Sequence, residues 1–522
     1  MVTASRSVSE AVLRRFEPPG PPMWGSARLR ALVVAVVAAL VLVPVWASPV
    51  LVTNDGPSHV YNALVVDAVR SGRPPYSTYM EFVADRTRPN QAAQFLLVAL
   101  GRTFGWELAE RLVVTFAVAA VLVALLALVA RPGTTPLVVL APAAGWLAQS
   151  WFLWMGFYDF ALSLACYAAL VLVFEGPPTP RRRLLTQALL LGLYMTHVLT
   201  FAVGTGLALA VTGWRALTGR GRWVELAVAG PALALLLLGV STGGTGAGAL
   251  RTADAWLSLK GLVIGDFVMS VHVVDAVAGA LLMVAVWFAV ARQLRAAQHE
   301  GLASVAGAAV FGFLLLMLSV AGPDRVGEGG FVAIRLRCLG AITLLPSVAR
   351  ALATVRLRTL VVAAGVVLVT LGMHAALIVR DARIVGGQLA LLEALFTRAQ
   401  APEGAWLRTR FRVHRGLYTI GAYTHIAERL AVRRGFLVLD NYEALYNAFA
   451  VSWRAQPDWL AFRQSQEGLT IRLIPGRLSW SENVVYVLHE SERRLQVADP
   501  RLDIGPTLVG GPFALTPVRR RL

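Results

Sequence analysis

Long apolar stretches, each closed by a short basic or polar link, dominate the chain from residue 29 to residue 380. Several approach the roughly 20 apolar residues that a helix needs to cross a ~30 Å hydrocarbon layer. The pattern predicts spans at 29–48, 107–130, 136–152, 159–174, 223–240, 273–291, 302–321, 333–351 and 359–379. The stretch 184–213 is different, because it is longer and has arginines at both ends. One crossing would leave one basic flank outside, whereas two half-spans meeting near Thr196 and His197 keep both inside. With that hairpin the pattern predicts 11 crossings in a membrane domain over 29–380. The predicted fold class is mainly α: a polytopic transmembrane helical bundle with a small C-terminal α+β extracytoplasmic domain.

The flanks have other textures. Residues 1–28 are polar and carry Pro18, Pro19, Pro21 and Pro22, as a cytoplasmic N-terminal tail would. Pro44 sits where it can kink the first span. The mixed segment 49–106 becomes the first outer loop. Residues 381–522 have the composition of a soluble domain, and the topology puts them outside. They begin helical, from Leu389 to Phe396, and later offer strand-like runs such as Phe436 to Leu439 and Asn483 to Leu488. No internal repeat is visible, which argues against transporter architectures built from detectable repeats.

Composition agrees with the membrane reading. The chain is 57% hydrophobic and only 15% charged, where soluble proteins carry about a quarter. The formal charge of +18 raises the question of nucleic acid. Its distribution excludes that, because the arginines gather in short links such as Arg181 to Arg183, Arg220 with Arg222, Arg292 with Arg295, and Arg356 with Arg358. Such links mark cytoplasmic loops. Lys260 is the single lysine. Cys166 and Cys338 lie in apolar stretches and suggest neither a disulfide framework nor a metal site. The first apolar segment follows Arg28 and Arg30, but further spans follow it, so it is an uncleaved helix with its N-terminus inside.

Polar residues at membrane depth are expensive, so each is a candidate site. The topology gathers them on one side. Asp55 and His59 follow the first span, Asp159 lies between the third and fourth, and His197 sits at the hairpin tip. Asp324, Arg325 and Glu328 precede the tenth span, with Arg335 and Arg337 inside its outer end. Asp-Gly-Pro at 55–57 is a turn signature, and Ser58 is placed to cap a helix starting near His59. The alternative role for Asp55 is general base, taking the proton of an attacking hydroxyl. His59 and Tyr61 fall within the next turn, Asn62 lies one turn beyond Ser58, and together they would orient a polar substrate. Asp159 has a structural alternative as a helix N-terminal carboxylate, and His197 as a buried, hydrogen-bonded histidine. Guanidinium groups near the interface suit a phosphate, which Arg335 and Arg337 would bind; they equally suit snorkelling. The two are two residues apart and do not share a helix face. His414, Tyr418, Tyr423, His425 and Glu428 of the tail suit either a cover over the site that contacts an acceptor or a small mixed fold, and the second reading assigns them no role.

An acidic residue just after the first transmembrane helix, followed by a histidine and an aromatic, resembles the GT-C superfamily of membrane glycosyltransferases. That superfamily includes protein O-mannosyltransferases, aminoarabinose transferases and oligosaccharyltransferases. The resemblance covers about the first 380 residues, and the Asp-Gly-Pro-x-His-x-Tyr-Asn loop is also that of uncharacterised bacterial GT-C-like proteins. It implies that Asp55 is catalytic, that Asp159 is the second acidic residue of a later outer loop, and that Arg335 holds the phosphate of a polyprenyl-phosphate sugar donor. The expected enzyme is a bacterial inner-membrane glycosyltransferase. It would move a hexosyl or pentosyl group to a glycan, lipid or protein acceptor on the extracytoplasmic face. No cofactor is expected, and no acidic cluster suggests a metal. The absence of a P-loop or a dinucleotide-binding glycine motif agrees with a donor that is not a nucleotide. The alternatives are a transporter or flippase of a lipid-linked or small polar substrate, and a non-catalytic membrane assembly protein.

Overall fold

The computed structural model describes residues 27–83, 90–130, 134–242, 251–252, 254–268, 272, 274–301, 305–325, 330–410, 423–441, 443–445, 450–455, 457–464, 469–477 and 484–521. The proline-rich tail, Glu328, His414 and Tyr418 lie outside the described residues.

Among the described residues, seven helical stretches are long and apolar enough to cross a membrane: Ala27–Trp46, Trp106–Ala130, Leu137–Trp154, Val198–Leu217, Asp275–Glu300, Val332–Leu352 and Leu357–Arg398. Shorter apolar helices lie between them, among them Tyr158–Phe174 and Gly307–Ala321. Backbone polar groups in lipid must be satisfied within the segment, which is why apolar runs of this length fold as helices. The double-length stretch is a hairpin of two helices, Pro180–Thr196 and Val198–Leu217, meeting at His197. His197 is in extended conformation and its ring accepts the Thr200 N–H at 3.5 Å, so it starts the second helix. The span expected at 223–240 begins instead as a 3-10 helix, Trp223–Ala229, and continues as an α-helix from Gly230 to Thr242.

The last helix departs from expectation. A span at 359–379 followed by a separate helix near Leu389 was expected; one helix of 42 residues runs from Leu357 to Arg398. At ~1.5 Å per residue it exceeds the bilayer's hydrocarbon thickness and carries the bundle directly into the tail. Leu391 and Leu395 near its end pack against Gly511 and Gly510 of the tail's sheet.

The tail contains strands, as its sequence suggested. Its main sheet runs in the order Leu502–Ile504, Phe513–Arg520, Val485–Glu490, Trp406–Arg410, Leu437–Val438, with Leu508–Gly510 also paired to Phe513–Arg520. Trp406–Arg410 is parallel to both its neighbours, and the helix Ile426–Arg434 connects it to Leu437–Val438. The first loop does not stand apart from this region. Met80–Phe82 pairs antiparallel with Val451–Trp453 of the tail.

The loop's helix, Gly56–Arg70, carries polar residues into a buried position. Eleven of its 15 residues are buried, including Ser58, Tyr61 and Asn62. It lies between the bundle and the tail's Ile426–Arg434 helix.

Within the bundle, small residues allow close helix approach. A Cβ on Gly312 would sit 2.9 Å from Leu344 Cγ and 3.2 Å from the Gly340 carbonyl oxygen. Gly312→Val should therefore separate the Gly307–Ala321 and Val332–Leu352 helices and cost about 1–3 kcal/mol. The check is thermal melting in detergent, where the variant should melt below wild type.

Candidate active site

The first helix ends at Trp46, and its last carbonyls need partners. Arg111, from the Trp106–Ala130 helix, donates to the carbonyls of Val45, Ser48 and Pro49, the last two at 2.8 and 3.1 Å. The chain then runs along the turn after Trp154. The Asn54 N–H donates to the Trp154 carbonyl and the Asp55 N–H to that of Met155, both at 3.0 Å. Gly156, at φ +81°, is required here, since a Cβ would fall 2.4 Å from the Gly56 nitrogen. These contacts fix Asp55 against the residues that precede Asp159.

Asp55 occupies the N-cap position of the Gly56–Arg70 helix, yet its side chain makes no capping hydrogen bond. Ser58, expected as the cap, lies inside the helix and accepts from Asn62. The Asp55 carboxylate instead receives Asn54 Nδ2 and lies 3.4 Å from Nε2 of His425. His425 comes from the tail, and its Nδ1 lies 3.0 Å from the buried Glu428. Next along the loop helix, His59 Nδ1 lies 2.8 Å from Glu443, also of the tail. The His59 ring is 5.9 Å from that of Tyr158, and both Asp55 and Asp159 act on it electrostatically.

Asp159 accepts the Ala93 N–H at 2.8 Å, anchoring the start of the Ala92–Phe104 helix. Its neighbours reach a second group. The Arg335 guanidinium lies over the rings of Phe157 and Phe160 at 5.0 and 5.3 Å, and the Phe160 ring is 5.0 Å from that of His197. Four consecutive residues, Phe157 to Phe160, therefore face His59 on one side and Arg335 with His197 on the other. Arg335 donates Nη1 to the Gly330 carbonyl at 3.0 Å, and its buried Nε has no hydrogen-bond partner among the described residues.

Other expected site residues are engaged elsewhere. Arg337 makes a two-pronged pair with Asp266 at 2.9 and 2.6 Å. The Tyr61 hydroxyl accepts the Val438 N–H at 3.1 Å. Asn62 and Asn441 exchange amide hydrogen bonds of 3.1 and 2.8 Å. These three side chains hold the fold around the site.

Sequence reasoning named His425 and Glu428 without assigning them a role and passed over Glu443; the place of all three depends on how the tail docks. It also passed over Glu110, which is buried inside a span. Glu110 receives the Tyr158 hydroxyl at 2.7 Å and lies 3.5 Å from Arg429 of the tail. An acid in so apolar a helix was a usable signal. Among the described residues, no three His, Cys, Asp or Glu side chains converge closely enough to hold a metal ion.

Burial alone would lower the basicity of both outer histidines. Glu443, with help from Asp55 and Asp159, reverses this for His59 and raises its pKa to about 9. Glu428 and Asp55 do the same for His425, to about 10. Both imidazoles are therefore cations at neutral pH. The folded protein binds these protons more tightly than the unfolded chain, whose histidines titrate near 6.5. Their stabilisation is fully present below about 6.5 and disappears as pH rises through 9 to 10. Melting temperature should fall between pH 7 and pH 10.5, and His425→Gln should flatten that dependence. Melting curves across this range provide the measurement.

No family model matches the chain, and no curated protein matches it. Among solved structures, it is similar to the crystal structure of ArnT from Cupriavidus metallidurans in the apo state. The two share 13% sequence identity and a TM-score of 0.50, over 93% of this chain and 97% of that one. The likeness spans bundle and tail together, so this chain, with its several apolar helices long enough to cross a membrane, shares the fold of that structure.

Proposed function

We propose that the protein is a glycosyltransferase of the inner membrane that moves a sugar from a polyprenyl-phosphate donor to an acceptor on the extracytoplasmic face. The observation that carries this reading is Asp55. Its carboxylate is at a helix start but does not cap the helix, and it faces a polar cluster built from the loop and the tail. In the proposed reaction an acceptor hydroxyl attacks the anomeric carbon of the donor. Asp55 takes the hydroxyl proton as the new C–O bond forms. The bond between the anomeric carbon and the phosphate oxygen breaks, and the electron pair leaves with the polyprenyl phosphate.

Arg335 suits the leaving phosphate for a structural reason. Its guanidinium is held by Phe157, Phe160 and the Gly330 carbonyl, which leaves donors for a phosphate. A preorganised cation at the point where charge develops stabilises the transition state without reorganisation. His59, Asp159 and His197 would shape the surrounding pocket.

The test uses purified full-length protein with polyprenyl-phosphate sugars and membrane acceptors. Asp55→Asn should lower transfer by roughly 10²–10⁴-fold, the usual worth of a general base. Transfer that persists at the wild-type rate would remove Asp55 from the chemistry. Arg335→Gln should weaken donor use by about tenfold or more, as expected for loss of a charge-assisted hydrogen bond. Donor titrations that read KM and kcat separately measure this.

A further inference from the structure

At the end of the bundle away from Asp55 there is a cavity of about 420 Å³. Its wall includes Glu175, which follows the helix that begins with Tyr158 and Asp159, and Arg350, near the end of the helix that carries Arg335. About 25 Å of helix therefore separates it from the candidate active site, and it plays no part in the proposed transfer.

Three arginines line the cavity, Arg215, Arg220 and Arg350, against one carboxylate, Glu175. Two of the three are held in place. Arg215 donates to the Phe174 and Gly176 carbonyls, and Arg350 pairs with Glu175 at 2.6 Å. Arg220 is exposed at the edge. The Gly307–Ala321 helix begins at this wall, with no side-chain cap and no acidic residue in its first turn. Its first turn adds the positive end of a helix dipole to the arginines. Thr218 and Gln293 add polar side chains to the wall, and Phe174, Val211, Val305 and Trp214 form its apolar part. The Trp214 indole N–H donates to the Val305 carbonyl at 2.9 Å, fixing that wall.

We propose that this cavity binds the phosphate headgroup of an anionic lipid, in the leaflet opposite the one that Asp55 faces. Guanidinium groups and a helix N-terminus select phosphate oxygens. A volume above about 300 Å³ is that of a ligand pocket rather than a site for a lone ion. The apolar wall and the tryptophan at the helix end suit the ester-linked part of a lipid, which free phosphate lacks.

The experiment uses the purified full chain in neutral detergent, titrated with short-chain phosphatidylglycerol and followed by tryptophan fluorescence and melting temperature. Parallel arms use short-chain phosphatidylcholine with the same acyl chains, and inorganic phosphate. Saturable binding of phosphatidylglycerol is expected, with phosphatidylcholine and inorganic phosphate each weaker by about tenfold or more. Arg220→Gln and Arg220→Glu should weaken phosphatidylglycerol binding, the second more than the first. Arg181→Gln, an exposed arginine outside the cavity, should leave it unchanged. Variants are compared only where their lipid-free melting temperature equals that of wild type. Equal binding of phosphatidylcholine, inorganic phosphate that binds as tightly as the lipid, or Arg220→Glu that binds like wild type would each overturn the proposal. None of these outcomes depends on whether Asp55 acts as a base.

Discussion

The burial of the Gly56–Arg70 helix is the constraint on which the outer half of the structure depends. The helix follows an acidic turn, and its buried face includes Ser58, Tyr61 and Asn62. Polar groups cost free energy when buried without partners. The bundle alone does not provide those partners. The tail does, through the Phe436–Val438 backbone for Tyr61, Asn441 for Asn62, Glu443 for His59 and His425 for Asp55. The pairing of Met80–Phe82 with Val451–Trp453 then ties the loop's far end to the same region. The candidate site exists only when the two segments, more than 300 residues apart in the chain, are docked together.

That docking is also electrostatic. Asp55, Glu428 and Glu443 surround His425 and His59, so acids and imidazolium groups alternate across the contact. Behind them Glu110 joins Tyr158, Thr53 and Arg429. Arg335 is set apart from these carboxylates, against aromatic rings. In the transfer proposed above, that separation would keep Asp55 as base and Arg335 as phosphate-binding cation from neutralising each other.

The bundle braces this arrangement through buried polar groups of its own. His374 lies 3.2 Å from Asp275, and His272 lies 3.0 Å from Asp381, joining the Asp275–Glu300 and Leu357–Arg398 helices. The His374 ring packs at 4.6 Å from Trp146 and 6.2 Å from Trp154. Trp154 in turn holds the Asn54 N–H with its carbonyl. A chain of contacts therefore links the long last helix to the loop that presents Asp55, and the same helix carries the tail.

Hydrophobic patterning by itself determined the membrane bundle, the hairpin break at His197, the separate texture of the tail and the grouping of Asp55, Asp159, His197 and Arg335 toward one end. Span length and flanking arginines are local properties, so they can be read along the chain. The sequence did not show that Ser58 would leave the capping role open, that Arg337 would be taken by Asp266, or that Tyr61 and Asn62 would bind the tail. Nor did it give His425 a partner or single out Glu443 among the polar residues of an ordinary soluble segment. Those outcomes were decided by tertiary structure, because each is a pairing between distant segments, and the cost of burying a polar group has no address in the sequence until its partner arrives.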